Sequence, residues 1–268
     1  MLSLILPTRN RLTDLKCCLS SLLGKFKLEN DPTELILVDN SDTYYEDPHL
    51  SEILTALSWE MSVRIMNTKP EGLAKARLEG FDSASYKIVL MLDDDYILGK
   101  FNTQSLLDFA THKDYEEVPF VSFSVSSLED HYKWTHFLTG FRDKSEFFTG
   151  KHIHPHFLYK QSFIAPTFYS YPFSLMRRED AIWTYKKAYE LFPPRYRGQD
   201  AYVALLLVEH YKNWGIFDSS SYAYHLDKPC HTRGYIPDSQ APQEYLDLRE
   251  KVSHRYYSLK PYLHLTDK

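Results

Sequence analysis

Cysteine is scarce in this chain, and long apolar runs are missing from it. Three cysteines, Cys17, Cys18 and Cys230, stand among 268 residues. So sparse and odd a set makes no disulfide framework and suits a reducing cytosol. No stretch reaches the roughly 18 consecutive apolar residues of a membrane span. Met1 to Pro7 read as a strand with no basic segment before them, so no secretory leader is expected. A basic excess is lacking too. Lys and Arg number 31 against 36 Asp and Glu, a formal net charge of −5, which argues against a broadly basic nucleic-acid binder. What remains is ordinary globular composition, 43% hydrophobic and 25% charged, long enough to bury a core without a metal or disulfide staple.

The first third alternates apolar runs with helical periodicity. Leu2 to Pro7, Glu34 to Asp39, Val63 to Met66 and Tyr86 to Leu92 read as strands. Between them, Leu12, Leu15, Cys18, Leu19, Leu22 and Leu23 recur at helical spacing. Leu50 to Leu57 and Gly72 to Ala84 read as further helices. Buried strands without alternation, separated by helices, imply an α/β fold whose central sheet is mostly parallel and covered on both faces. In such sheets ligands bind at the strand C-termini. The polar clusters Pro7 to Arg11, Asp39 to Asp42, Asn67 to Lys69 and Asp93 to Asp95 all fall on that edge.

Further on, Val118 to Val125 and Ser219 to His225 read as strands, and Asp200 to Tyr211 as a helix. Leu175 to Tyr189 reads as partly helical, and Gln243 to Tyr257 as an amphipathic terminal helix. With no linker or repeat visible, residues 1–268 are expected to form one domain. Its parts are a ligand-binding half (1–98), a second half (99–230) and a helical extension (231–268).

Asp93, Asp94 and Asp95 end an apolar strand. Like charges this close repel unless a cation is present. Extended backbone would turn Asp93 and Asp95 to one side, a partial oxygen shell for Mg²⁺ or Mn²⁺. Two chemistries use such a strand end. One is a phosphatase of the haloacid dehalogenase kind, with Asp93 as nucleophile and Asp95 two residues on. The other is sugar transfer from a nucleotide sugar, with metal bridging carboxylates and diphosphate. A nucleotidyltransferase is disfavoured because the first loop, Pro7-Thr-Arg-Asn10, has no glycine.

Four segments carry a resemblance. Leu4-Ile-Leu-Pro-Thr-Arg-Asn-Arg11, Leu35-Ile-Leu-Val-Asp-Asn-Ser-Asp42, Glu71-Gly-Leu-Ala-Lys-Ala-Arg-Leu-Glu-Gly80 and Leu90-Met-Leu-Asp-Asp-Asp95 occur in order over residues 1–98. They resemble the opening, second strand, third helix and DxD motif of family 2 glycosyltransferases. The resemblance implies a GT-A fold, Rossmann-like, with a mostly parallel sheet and helices on both faces. It implies that Pro7, Thr8, Asn10 and Arg11 line a nucleotide pocket and that Asp39 accepts hydrogen bonds from the base. Arg77 would reach base or ribose, Asp93 or Asp94 the ribose, and Asp95 a metal, Mn²⁺ or Mg²⁺. Lys69, Lys75 and Arg77 would add positive charge facing a diphosphate, although Lys75 also reads as part of a solvated helix face. The chain departs from the family where Leu78 replaces the usual Asn and where no Gly lies between Asp39 and Pro48.

Arg197-Gly-Gln-Asp-Ala-Tyr-Val203 resembles the family's segment holding the general base, with Gln199 in place of Glu, and makes Asp200 the base. The bland alternative is a carboxylate in a helix's first turn. His225 is the candidate further metal ligand, and His231 the second. His152, His154 and His156 read as an acceptor-site loop. The resemblance implies inverting transfer from a nucleotide diphosphate sugar, chiefly a UDP-sugar, to a glycan or lipid-linked glycan, with no nucleic-acid partner. Cytoplasmic location follows from the cysteines, and peripheral membrane association from the terminal helix alone. An inactive GT-A-like sugar-nucleotide binder is the other alternative.

Overall fold

The computed structural model describes residues 1–26, 32–43, 46–127, 164–167, 172–192 and 199–226, with scattered positions from 242 to 255. β1 (Leu2–Thr8), β2 (Thr33–Asp39), β3 (Ser62–Asn67) and β4 (Ile88–Leu92) pair in parallel in the order β3-β2-β1-β4. α1 (Leu12–Leu22), α2 (Pro48–Ser58) and α3 (Leu73–Ser83) connect them. The register sets Thr8 beside Asp39 and Asp39 beside Asn67, so the expected polar clusters do share one edge.

The sheet continues through β8 (Phe173–Arg177), β6 (Phe120–Ser127), β9 (Gly215–His225) and β5 (Tyr96–Lys100), with β7 (Ile164–Thr167) on β9. Pairing here is mixed: β8 is antiparallel to β4 and β6, while β6 and β9 are parallel. The remaining helices are α4 (Thr103–Thr111), α5 (Arg178–Leu191) and α6 (Gln199–Tyr211).

The consecutive apolar residues of the central strands serve both faces. Ile5, Ile36, Val38, Val89 and Met91 pack with α3, α5 and α6. Leu4, Leu6, Leu35, Leu37, Leu90 and Leu92 pack with α1, α2 and α4. Gly80 lets α3 lie against β1, since a Cβ there would come within 2.5 Å of the Ile5 Cγ2. α2 begins with Pro48 after Asp47, whose carboxylate accepts from the Leu50 N–H at 2.8 Å.

One expectation is corrected. Leu175 to Tyr189 is not one partly helical stretch. Phe173–Arg177 is a strand buried between β4 and β6, and the helix starts at Arg178 with Glu179 and Asp180 in its first turn. A few of the described residues near the C-terminus have partners. Leu246 and Leu248 pack on the core beside α6, and Arg255 pairs with Glu209. Among the described residues, no helix is long and apolar enough to cross a membrane.

At the opposite edge a buried carboxylate ties four segments together. Glu34 accepts from the Ser3 hydroxyl at 2.6 Å, from the Ser85 N–H at 2.6 Å and from Arg64 at 2.9 Å. Burial alone would raise its pKa, but these donors hold it below 4.5. Its contribution is therefore complete at neutral pH and fades as pH falls through that depressed value. Glu34→Gln is expected to cost about 2 kcal/mol in urea unfolding at pH 7, with the gap to wild type closing as the pH falls below 4.5.

Candidate active site

β4 stops at Leu92, so the three aspartates lie in a turn rather than in extended backbone, with the Tyr96 N–H bonded to the Asp93 carbonyl at 3.3 Å. The turn divides them differently from the expected alternation. Asp93 faces one cation, Arg77, while Asp94 and Asp95 share another.

That cation is Arg11, at the N-terminus of α1. Its Nη1 reaches Asp94 Oδ1 at 3.1 Å and Asp95 Oδ2 at 3.0 Å, and its Nε reaches Asp14 at 3.1 Å. Thr8 donates to Asp94 Oδ2 at 2.8 Å. Both residues, expected to line a nucleotide pocket, bond these carboxylates. Burial, opposed by Arg11 and reinforced by Asp95, pushes Asp94 up to about 7. Cys18 lies beneath the turn, its Sγ 3.5 Å from the Asp93 carbonyl. Burial and then the three carboxylates push its thiol well up, so it stays neutral.

Asp93 is held by Arg77, whose Nη2 lies 2.6 Å away. Arg77 was expected to reach towards base or ribose. Its side chain is instead wholly buried, and its Nη1 reaches Asp200 Oδ1 at 2.5 Å. Sequence spacing explains the inward course: Ala74, Gly80 and Phe81 stand three or four residues either side of it, on the buried stripe of α3. A guanidinium on that stripe needs negative partners, and it finds two half-buried carboxylates. Asp93 is raised by burial, against the pull of Arg77 and with the push of Asp95 and Asp200.

Tyr185 of α5, which no sequence signal singled out, donates its hydroxyl to Asp200 Oδ1 at 2.8 Å. Asp200 opens α6 in the first turn, as the bland reading had it, yet its partners are tertiary.

His225 ends β9. That strand pairs His225 with Tyr96, and the Leu226 N–H binds the Asp95 carbonyl at 2.8 Å. The imidazole Nε2 therefore sits 3.1 Å from Asp95 Oδ2. Two ligand atoms about 2.1 Å from one octahedral ion stand about 3 Å apart, so Asp95 and His225 fit adjacent positions on Mg²⁺ or Mn²⁺. Among the described residues no set of three His, Cys, Asp or Glu side chains forms a metal cage. A cation here would complete its shell with oxygens from ligand or water.

On the other flank, Pro7 is buried within β1 opposite Val38. Asn10, with φ of 54°, clasps the two loops: its amide donates to Asp42 at 2.6 Å, and its carbonyl accepts the Asp42 N–H at 3.1 Å. Asp39 is buried, accepts from the Ser41 N–H at 3.0 Å, and opens onto a cleft of about 530 Å³ lined also by Asn67, Asp47, Leu50, Leu54 and Ile65. Lys69 is exposed at the edge, where its carbonyl accepts from Asn40. Lys75 lies elsewhere, on Glu79 at 3.4 Å and over the Tyr189 ring. His152, His154, His156 and His231 lie outside the described residues.

Comparison with known proteins gives a family match. The family described as glycosyl transferase family 2 matches residues 3–185. No curated protein sequence matches. Among solved structures, the chain is similar to S. aureus TarS 1–349 in complex with UDP-GlcNAc (TM-score 0.58, 15% identity, covering 95% of this chain and 66% of that one). It is also similar to the same TarS fragment determined separately (0.53, 17%, 95% and 64%). A third similar structure is GalNAc-T7 with UDP, GalNAc and Mn²⁺ (0.64, 14%, 97% and 50%). At these identities the likeness is one of fold, the GT-A fold expected. The chain spans between half and two thirds of the length of these structures.

Arg11 is the internal counterion of Asp94 and Asp95. Arg11→Met is expected to cost about 3 kcal/mol without divalent ions. Adding Mn²⁺ should raise the thermal midpoint of the variant more than that of wild type, as followed by calorimetry.

Proposed function

The chain belongs to glycosyl transferase family 2, and on that premise we propose that it moves a sugar from a nucleotide diphosphate sugar to an acceptor hydroxyl. The observation that carries this reading is the bridge through Arg77. One buried guanidinium bonds Asp93 in the carboxylate turn and Asp200 at the start of α6, 123 residues on from Arg77 itself. In this reading the end that meets metal and diphosphate and the end that holds the base lie at one sheet edge.

In this reading Asp39, with Asn67 beside it on β3, faces the base of the donor, which we take to be uracil. Support comes from the UDP-GlcNAc and UDP named with the similar structures. Asp93 or Asp94 faces the ribose. Pro7 and Asn10 shape the loops around it, and Arg11 and Thr8 fix the carboxylates. Asp95 and His225 hold Mn²⁺ or Mg²⁺. A bound divalent ion supplies Lewis-acid neutralisation of the departing diphosphate. Asp200 takes the proton from the acceptor hydroxyl as its oxygen attacks the anomeric carbon opposite the leaving group, and the anomeric configuration inverts. The acceptor is a glycan or a lipid-linked glycan, met at the cytoplasmic side. The phosphatase alternative lacks support, since Asp93 is pinned by a fully buried arginine and follows the fourth strand, not an early one.

Calorimetric titration of UDP, GDP, CDP and CMP with and without Mn²⁺ tests the donor site. Mn²⁺-dependent UDP binding that is lost in Asp95→Ala and kept in Asp200→Asn is the expected result. Asp200→Asn should also lower UDP release from the preferred UDP-sugar by about 100-fold or more. Binding of no nucleotide under any condition would overturn the proposal. UDP binding without turnover of any donor would leave the inactive-binder alternative standing.

A further inference from the structure

Tyr185 is a large side chain with no exposed surface, and it sits in an apolar setting of Phe81, Met91 and Ala188. A phenol there is costly unless its hydroxyl is bonded. The hydroxyl has one proton and two acceptors in reach, Asp200 Oδ1 at 2.8 Å and Met91 Sδ at 2.8 Å. A carboxylate is the far stronger acceptor, so the proton points at Asp200. The phenol oxygen in turn accepts from Arg77 Nη1 at 3.1 Å, and the same nitrogen bonds Asp200 Oδ1. Three polar groups therefore close a triangle, and two of them donate to a single carboxylate oxygen.

Resting on the reading of Asp200 as general base, we propose that Tyr185 is its positioning residue: with Arg77 it loads Oδ1 and so turns Oδ2 towards the acceptor hydroxyl. Among the described residues Oδ2 has no hydrogen-bond partner, and the Asp200 side chain is 24% exposed. The outer torsion of an aspartate is soft. Arg77 alone fixes it poorly, because its other nitrogen is drawn to Asp93 at 2.6 Å. Tyr185 approaches from a different helix and adds the second direction. Its ring is braced by Phe81, with centroids 5.2 Å apart, and the Arg77 guanidinium lies 5.6 Å from the ring centre. Burial and then Asp200 push the phenol well above its ordinary pKa, against the pull of Arg77, so it stays a donor.

The test is a double-mutant cycle of Tyr185→Phe and Asp200→Asn. It is read as UDP release, with water as acceptor, from whichever of UDP-N-acetylglucosamine, UDP-glucose and UDP-galactose wild type turns over fastest. Tyr185→Phe is expected to lower kcat by about tenfold or more, with the donor KM and Mn²⁺-dependent UDP affinity unchanged. In the Asp200→Asn background it should have no further effect on residual turnover. Equal losses in both backgrounds, or full turnover by Tyr185→Phe while Asp200→Asn is inactive, would overturn the positioning role. Full turnover by Asp200→Asn would instead sink the base assignment on which it rests. Should wild type turn over no donor, the proposed transfer fails, and the same cycle is read in urea midpoints. There, Tyr185→Phe must cost less when Asp200 is Asn, and an equal cost would remove the contact.

Discussion

A buried guanidinium must find negative partners or unfold the helix that carries it, and Arg77 meets that constraint with Asp93 and Asp200. The consequence reaches beyond α3. The carboxylate turn after β4 and the first turn of α6 are fixed against each other through one planar, forked cation. Lysine could not span them in the same way. Tyr185 fills the remaining angle, so three helices and a turn converge on a few polar atoms beneath the sheet edge. The apolar residues around them on α3 and α5 allow the convergence, since dispersed water would weaken every bond in it.

Charge accounting at this edge is lopsided. Asp14, Asp93, Asp94, Asp95 and Asp200 lie around two guanidiniums, Arg11 and Arg77. Burial resolves part of the excess by pushing Asp94 up to about 7. The rest invites a cation from solution, and the Asp95–His225 pair presents two ligand atoms at a spacing a divalent ion accepts. The same excess explains why the triad divides as it does. Each cation draws its own aspartates, and a turn is the backbone that lets neighbours in sequence face different ways.

Much of this was legible in the sequence. Unbroken apolar strands between amphipathic helices gave the parallel half, and the switch-edge rule brought Pro7 to Arg11, Asp39 to Asp42 and Asp93 to Asp95 together. Asp200 was singled out by a segment like that of a known family and His225 by position, and the fold sets them beside Arg77 and Asp95. What escaped was long-range partnership. Arg77 read as a ligand-facing cation because its segment resembles the family's third helix, although Ala74, Gly80 and Phe81 mark its face as inward. The side on which Asp93 falls depends on a turn that three carboxylates and two distant arginines impose. β8 hid in a helical reading because its five residues carry no turn signal before Arg178. Tyr185 was one tyrosine among 21, and nothing local distinguishes the one that meets a carboxylate.

The central claim is that one forked cation joins the carboxylate turn to Asp200. Measuring UDP release by Arg77→Lys tests it most directly. That variant keeps the buried charge but can hold only one of the two carboxylates well. The account predicts a folded protein with a lowered thermal midpoint and turnover reduced at least about tenfold. Wild-type turnover in Arg77→Lys would contradict it, because charge alone, without the bridge, would then suffice.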